Sequence, residues 1–331
     1  MRPRPGEDLR RLAPDMADWL RTGLRVLAAA TAVASTLAGC GIGAGRTPAG
    51  VSLLVTQNFG SQTLAQSARP RVVGADTVMR VLERNATVAT RYGGGFVQSI
   101  DGHAAGSQGA QPDDWFYYVN GVQAHKGAAA TKVHTGDEIW WDRHVWTATE
   151  SIPAVVGAFP EPFVHGYGGA QYPTHIECTQ TQAKACTAVL DAIGHFGVPA
   201  GLGCLDCAEY NMSLRVLVGP YSTLVDDATA DLLSRGPSAD GIYARFIDGG
   251  HRLELLNQLG RVTRTLGAGA GLVAATRLRG APPVWFVTGT DAAGVAAAEQ
   301  AFNAGTLDGH FAVAVSNYIA VPLPVGLPAS G

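Results

Sequence analysis

Residues 113–146 read DDWFYYVNGVQAHKGAAATKVHTGDEIWWDRHVW, and this stretch decides how the N-terminal half folds. Five strand-favouring residues, from Trp115 to Val119, run into Asn120-Gly121, a dipeptide suited to the tight hairpin turn whose central residues both need positive φ. The chain therefore turns back at Val122. A second turn at Thr135-Gly136-Asp137 introduces another strand, 138–142, whose alternation sends Ile139 and Trp141 to one face and Trp140 to the other.

Working outward, VSLLVTQNFG (51–60) reads as a strand. Asp76 stands as an N-cap before a helix over 75–85 whose Val78, Val81 and Leu82 share a buried stripe. Gly93-Gly94-Gly95 opens a strand over 96–100 that closes at Asp101-Gly102. The order predicts an α+β fold: a small hairpin domain over 51–150 with one helix across it.

The succession of aromatic strand, Asn-Gly, Gly127-Ala128-Ala129, Gly136-Asp137 and second aromatic strand resembles the C-terminal domain of the cobalamin carriers transcobalamin and intrinsic factor. It is closer still to a bacterial domain family of uncharacterised function that shares that fold. The resemblance covers 51–146 and implies a β-grasp-like arrangement and a small ligand, with a corrinoid among the candidates. In the mammalian carriers the corrinoid lies between this domain and a helical barrel, which this chain does not encode.

Trp115, Tyr117 and Trp140 are the candidate ligand-binding residues. Alternation can place them together, opposite Phe116, Tyr118 and Trp141, on a face that a single helix need not cover. The alternative is that the same aromatics form the core. His103, His125, His134, His144 and His165 lie nearby, but none has a metal-ligand spacing, so no metal site is assigned.

At the N-terminus, Arg21 and Arg25 precede an apolar run over 26–38 that ends in Leu37-Ala38-Gly39-Cys40. Thirteen residues suit a signal-peptide core and are too few to span a bilayer. The ending resembles a lipobox, which implies cleavage after 39 and acylation of Cys40. Met16 gives the more usual start for such a signal. Residues 40–50 read as a flexible tether. These features predict a lipid-anchored protein on the extracytoplasmic face of the cell membrane. Removing 1–39 takes the formal charge from −3 to −5, which leaves no basic footprint for nucleic acid.

Residues 151–173 carry four prolines and no sustained period, and so read as a linker along the surface. Beyond it, 174–331 reads as an α/β domain with a strand over 174–178 and a helix over 181–196. Two segments, 214–246 and 282–315, share an order of apolar strand, Gly, helix, Asp-Gly, aromatic and strand, so they suggest two βαβ-like units. Cys178, Cys186, Cys204 and Cys207 predict two disulfides in an exported protein, with Cys178–Cys186 favoured and a zinc site as the alternative. Asp291 and Thr290 read as helix caps rather than a phosphate rim. Neither a nucleophile elbow nor a paired-acid spacing is present. The chain thus reads as a binder without a cofactor, not an enzyme. Its expected partner is a small ligand or an envelope component; the competing reading is a structural or adhesive envelope module.

Overall fold

Alternating buried and half-buried residues form β1 (Ser52–Gln57), which pairs antiparallel with β2 (Gln62–Ser67). The computed structural model describes residues 45–205 and 212–326, and Cys40, the signal segment and Cys207 lie outside them. The helix that follows is α1 (Val78–Asn85), with Val78, Met79, Val81 and Leu82 buried. Its N-cap is Thr77, whose side chain accepts from the Arg80 amide. Asp76 instead accepts from the Val73 amide and from Arg84, so it tethers the approach to the helix. One residue of shift at a cap is the usual limit of sequence reading.

A small sheet of β3 (Val88–Arg91), β4 (Phe96–Ile100) and β5 (His103–Ala104) follows. The main hairpin sheet is then completed by β6 (Gly106–Gln108), β7 (Gln111–Val119), β8 (Val122–Gln123) and β9 (Glu138–Val145), in the order β2-β1-β9-β7-β6 with β8 paired to β7. Asn120 and Gly121 take φ of 54° and 71°, as the turn chemistry requires. A Cβ on Gly121 would stand 2.9 Å from the Val155 carbonyl oxygen, so this turn is also a close crossing point.

The second body begins with β10 (Thr174–Cys178), α2 (Ala183–Gly194) and β11 (Ala200–Gly203), a βαβ unit of adjacent parallel strands. It continues through β12 (Leu214–Pro220), a three-stranded sheet of β13 (Ala244–Ile247), β14 (Arg252–Leu256) and β15 (Val262–Leu266), and then β16 (Gly271–Thr276). β17 (Val284–Gly289), α3 (Ala292–Ala301) and β18 (Ala312–Ser316) form the second βαβ unit, and β19 (Ile319–Leu323) closes the edge. The large sheet runs β11-β10-β12-β17-β16-β18-β19. The suspected internal repeat holds in its second copy, 282–315. In the first, Asp227 accepts from the Thr229 and Ala230 amides and breaks the chain into short turns before a long helix can form.

Successive residues of the central strands serve opposite cores, which is why these strands read as unbroken apolar runs. Val216, Val273, Trp285 and Val313 pack with α2 and α3 residues such as Cys186, Val189 and Val295. Leu217, Leu272, Phe286 and Ala314 face the other way and share a core with Phe59, Tyr118 and Trp140 of the hairpin sheet. The outer face of that sheet packs on α1.

Residues 151–173 correct the surface-linker expectation. Ile152, Val155, Val156, Phe159 and Phe163 are buried, and the segment contributes to both large cores. Its backbone groups find partners on either side: the Val155 amide donates to Gly121 and the Val156 amide to Phe311. The prolines shape a wedge whose apolar residues are too numerous to leave in water. Residues Thr47–Gly331 accordingly form one compact unit.

Candidate functional site

A cavity of about 350 Å³ opens where the loop after β8 meets Tyr167, Gly168 and the residue that ends β16's apolar run, Arg277. Val119 and Val122 are buried and floor it. His125, Lys126, Ala130 and Lys132 are exposed at its rim. The Tyr117 hydroxyl lies behind the rim, hydrogen-bonded to the Thr131 hydroxyl at 2.8 Å and donating to the Lys126 carbonyl. Those bonds fix the loop that carries the two lysines.

Arg277 is 8% exposed. Its guanidinium donates to the Gln123 carbonyl at 2.6 Å and lies 6.0 Å from the Tyr167 ring centroid. Burial pulls its pKa down, while Tyr167 opposes that shift. The Arg277 charge in turn depresses the His125 imidazole, with desolvation and Arg279 adding to the effect. Tyr167 stacks on Tyr172, ring centroids 4.8 Å apart, which makes one wall a rigid aromatic step. Asp137 also lines the cavity, but its carboxylate accepts from the His134 amide and from Asn120. Burial raises its pKa.

The three residues assigned to an aromatic platform are separated by the sheet. Trp115 and Tyr117 lie on the α1 side, Trp115 6% exposed and Tyr117 stacked on Trp141. Trp140 points to the opposite side, is fully buried, and donates from Nε1 to the Thr56 hydroxyl at 2.7 Å. The expected grouping of Trp140 with Trp115 is therefore corrected. The register sets Tyr117 against Trp141 and Tyr118 against Trp140, and a register carried across the 120–137 loop cannot be counted from alternation within each strand. The second body covers the Trp140 face, so no open platform remains there.

Beside Trp140 lies a buried polar cluster. The Asp142 carboxylate accepts from the Phe59 and Gly60 amides, from the Thr56 hydroxyl and from His144 Nδ1 at 2.7 Å. His144 is sandwiched between Phe59 and Phe116, at 4.5 and 4.3 Å. The hydroxyl, carboxylate and imidazole look like a catalytic inventory, but the carboxylate stands between the other two, whereas nucleophile activation needs the base on the nucleophile. The arrangement pins the β1–β2 turn to β9. Further along the same face, burial and the charges of Glu161 and Asp308 push the Glu138 carboxyl up to about 8. His165 pairs through Nδ1 with Glu161 at 2.5 Å, and the His103 carbonyl accepts from Trp115. No grouping of three or more His, Cys, Asp or Glu side chains suited to a metal occurs among the described residues.

Cys178 and Cys186 form a disulfide that ties β10 to α2. Cys204 is disulfide-bonded as well. Such bonds fit an oxidising, extracytoplasmic compartment. No helix among the described residues is long and apolar enough to cross a membrane.

Sequence reasoning singled out His125 and His134 but missed Arg277, Tyr167 and the lysines as a group. One signal was available: Arg277 ends the run GLVAAT, whose residues are all buried, and an arginine in that position has little access to water.

Residues 75–144 match a family described as "Domain of unknown function (DUF4430)". That span falls within the expected hairpin domain. No curated protein matches the chain. Among solved structures, the chain is similar to one described as a putative metal binding protein from Ruminococcus gnavus, at 18% identity and a TM-score of 0.23, over 29% of this chain and 95% of that one.

Proposed function

We propose that this protein is a lipid-anchored, extracytoplasmic binding protein that holds a compact small molecule in the cleft of Val119, Val122, Thr131, Tyr167 and Arg277 and presents it for uptake. The observation that carries this reading is the cleft itself. An apolar floor, a stacked tyrosine wall and a few convergent polar groups in about 350 Å³ match the general anatomy of small-molecule sites. The extracytoplasmic setting is supported by the disulfides, and the anchor by the sequence ending at Cys40. The corrinoid expectation came from the family resemblance; with the aromatic face that could have received so large a ligand covered, a corrinoid becomes the large-ligand arm of the test. A binder is favoured over an enzyme because the buried Thr56, Asp142 and His144 are spent on structure.

The test is isothermal titration of the purified full chain in detergent against small metabolites of graded size and charge, with cyanocobalamin and cobinamide included. Ala130 is exposed at the rim, so Ala130→Trp should obstruct the cleft without disturbing the core. The reading expects a ligand whose affinity falls at least about tenfold in Ala130→Trp, the loss of roughly 1.4 kcal/mol. Binding that survives this substitution unchanged would place the site elsewhere.

A further inference from the structure

Several arginines more exposed than Arg277 sit against carboxylates in this fold. Arg215 is held by Glu177 and Asp227, each at 2.7 Å, and Arg84 by Asp76 at 2.9 Å. Arg277 breaks the pattern: at 8% exposure it has no ion pair among the described residues. Its Nη2 donates to the Gln123 carbonyl, a neutral acceptor. A guanidinium carries five N–H donors in a planar fork, so donors remain for a ligand in the cleft. Leaving a buried cation without a carboxylate is costly, and Tyr167, which also hydrogen-bonds the guanidinium, is a neutral partner, so an anion in the cleft would supply the counter-charge that the fold does not.

The surroundings point the same way. Lys126, Lys132 and His125 ring the mouth. The one carboxylate among the described lining residues, Asp137, is committed to the His134 amide and Asn120. Arg277 and Arg279 both depress the His125 imidazole, so the positive field extends to the rim. A divalent cation would be repelled here.

We infer that the cleft takes an anion, a carboxylate or phosphate carried on a compact planar or apolar body, with Arg277 as its counter-ion and Tyr167 as the surface for the body. The inference rests on the binding reading above and names the ligand class for that site. A carboxylate or phosphate matches the guanidinium fork bidentately, while Val119 and Val122 accept the apolar part.

The experiment follows the Arg277 guanidinium ¹⁵Nε–H signal in the full chain, assigned by its loss in Arg277→Gln. Sodium acetate, sodium phosphate and sodium benzoate are titrated at constant ionic strength held with sodium chloride, with benzamide as the neutral counterpart of benzoate. The inference expects a saturable shift from at least one of the three anions and at least tenfold weaker binding of benzamide. It also expects about a 10- to 100-fold loss of anion affinity in Arg277→Gln, as removal of a charge-assisted hydrogen bond implies. Should Arg277→Gln fail to fold, the exposed pair Lys126→Ala with Lys132→Ala must still weaken the anion severalfold. Carboxylate and phosphate responses together distinguish the two anion sources. Benzamide binding as tightly as benzoate would overturn the anion class and leave the cleft a site for neutral ligands. Silence towards all four compounds would overturn the inference, and if Ala130→Trp also changed no ligand's affinity, the binding reading would fall with it.

Discussion

Trp140→Ala measures whether the seam between the hairpin sheet and the second body is a true core. Trp140 is fully buried, lies 5.3 Å from the Phe311 ring and 6.0 Å from the Tyr118 ring, and donates to Thr56. A tryptophan of this kind buries about 200 Å², or about 5 kcal/mol at 25 cal/mol per Å², an upper figure because the unfolded chain is itself partly collapsed. Large-to-small changes in cores cost about 3 to 5 kcal/mol, and the lost bond to Thr56 adds about 1. The expected loss is therefore about 4 to 6 kcal/mol. Trp140→Phe, which keeps most of the ring contact, should lose roughly half of that. Urea unfolding followed by near-ultraviolet circular dichroism reads the difference, provided both probes and slopes stay consistent with a single transition. A loss below about 1 kcal/mol with tryptophan fluorescence open to quenchers would refute the packed seam, since exposed surface positions respond on that smaller scale.

Two further outcomes follow from the same geometry. The Glu138 carboxyl is raised to about 8 in the folded protein, so folding takes up a proton between the ordinary carboxylate range and that value. The stability it contributes is present at low pH and is lost as pH rises through about 8. Glu138→Gln should therefore flatten this decline and stabilise the protein at pH 8.5 by about 2 kcal/mol, allowing for water reaching part of the carboxyl. Thermal unfolding across pH 5–9 checks it, and an unchanged slope would count against the buried acidic seam. Replacing Cys178 and Cys186 together by serine opens a link across eight residues of sequence. It should cost about 2 to 3 kcal/mol in the chain-entropy picture, readable in urea unfolding under oxidising conditions. No loss would mean the bridge is not formed in solution.

Much of the fold was legible because local chemistry and global packing agree. The 96–100 strand stands between the Gly93-Gly94-Gly95 and Asp101-Gly102 turns, the 174–178 strand stands within its expected bounds, and Asn120-Gly121 turns as its composition demands. The Cys178–Cys186 bridge was legible from the even cysteine count and a strand running into a helix. The wedge over 151–173 was misread because its prolines signal irregular backbone, while burial was decided by Val155, Val156, Phe159 and Phe163 meeting two surfaces at once. The cleft was hidden for a related reason. Val122, Lys132, Tyr167 and Arg277 lie far apart in sequence and on separate elements, so only the folded chain brings them together. Trp140 shows the limit most plainly: its neighbours in sequence indicated an aromatic strand, but the face it occupies depends on cross-strand register.

The central claim, that the cleft is the ligand site, is tested most directly by fragment mapping on the full chain. Amide shifts in ¹⁵N–¹H spectra would be recorded against a library of compact carboxylates, phosphates and neutral aromatics. The account predicts that saturable shifts concentrate on Val122, Gln123, Lys126, Thr131, Lys132, Gly168 and Arg277. Shifts that gather instead in the groove of Phe163, Tyr172 and Phe196, or nowhere, would contradict it.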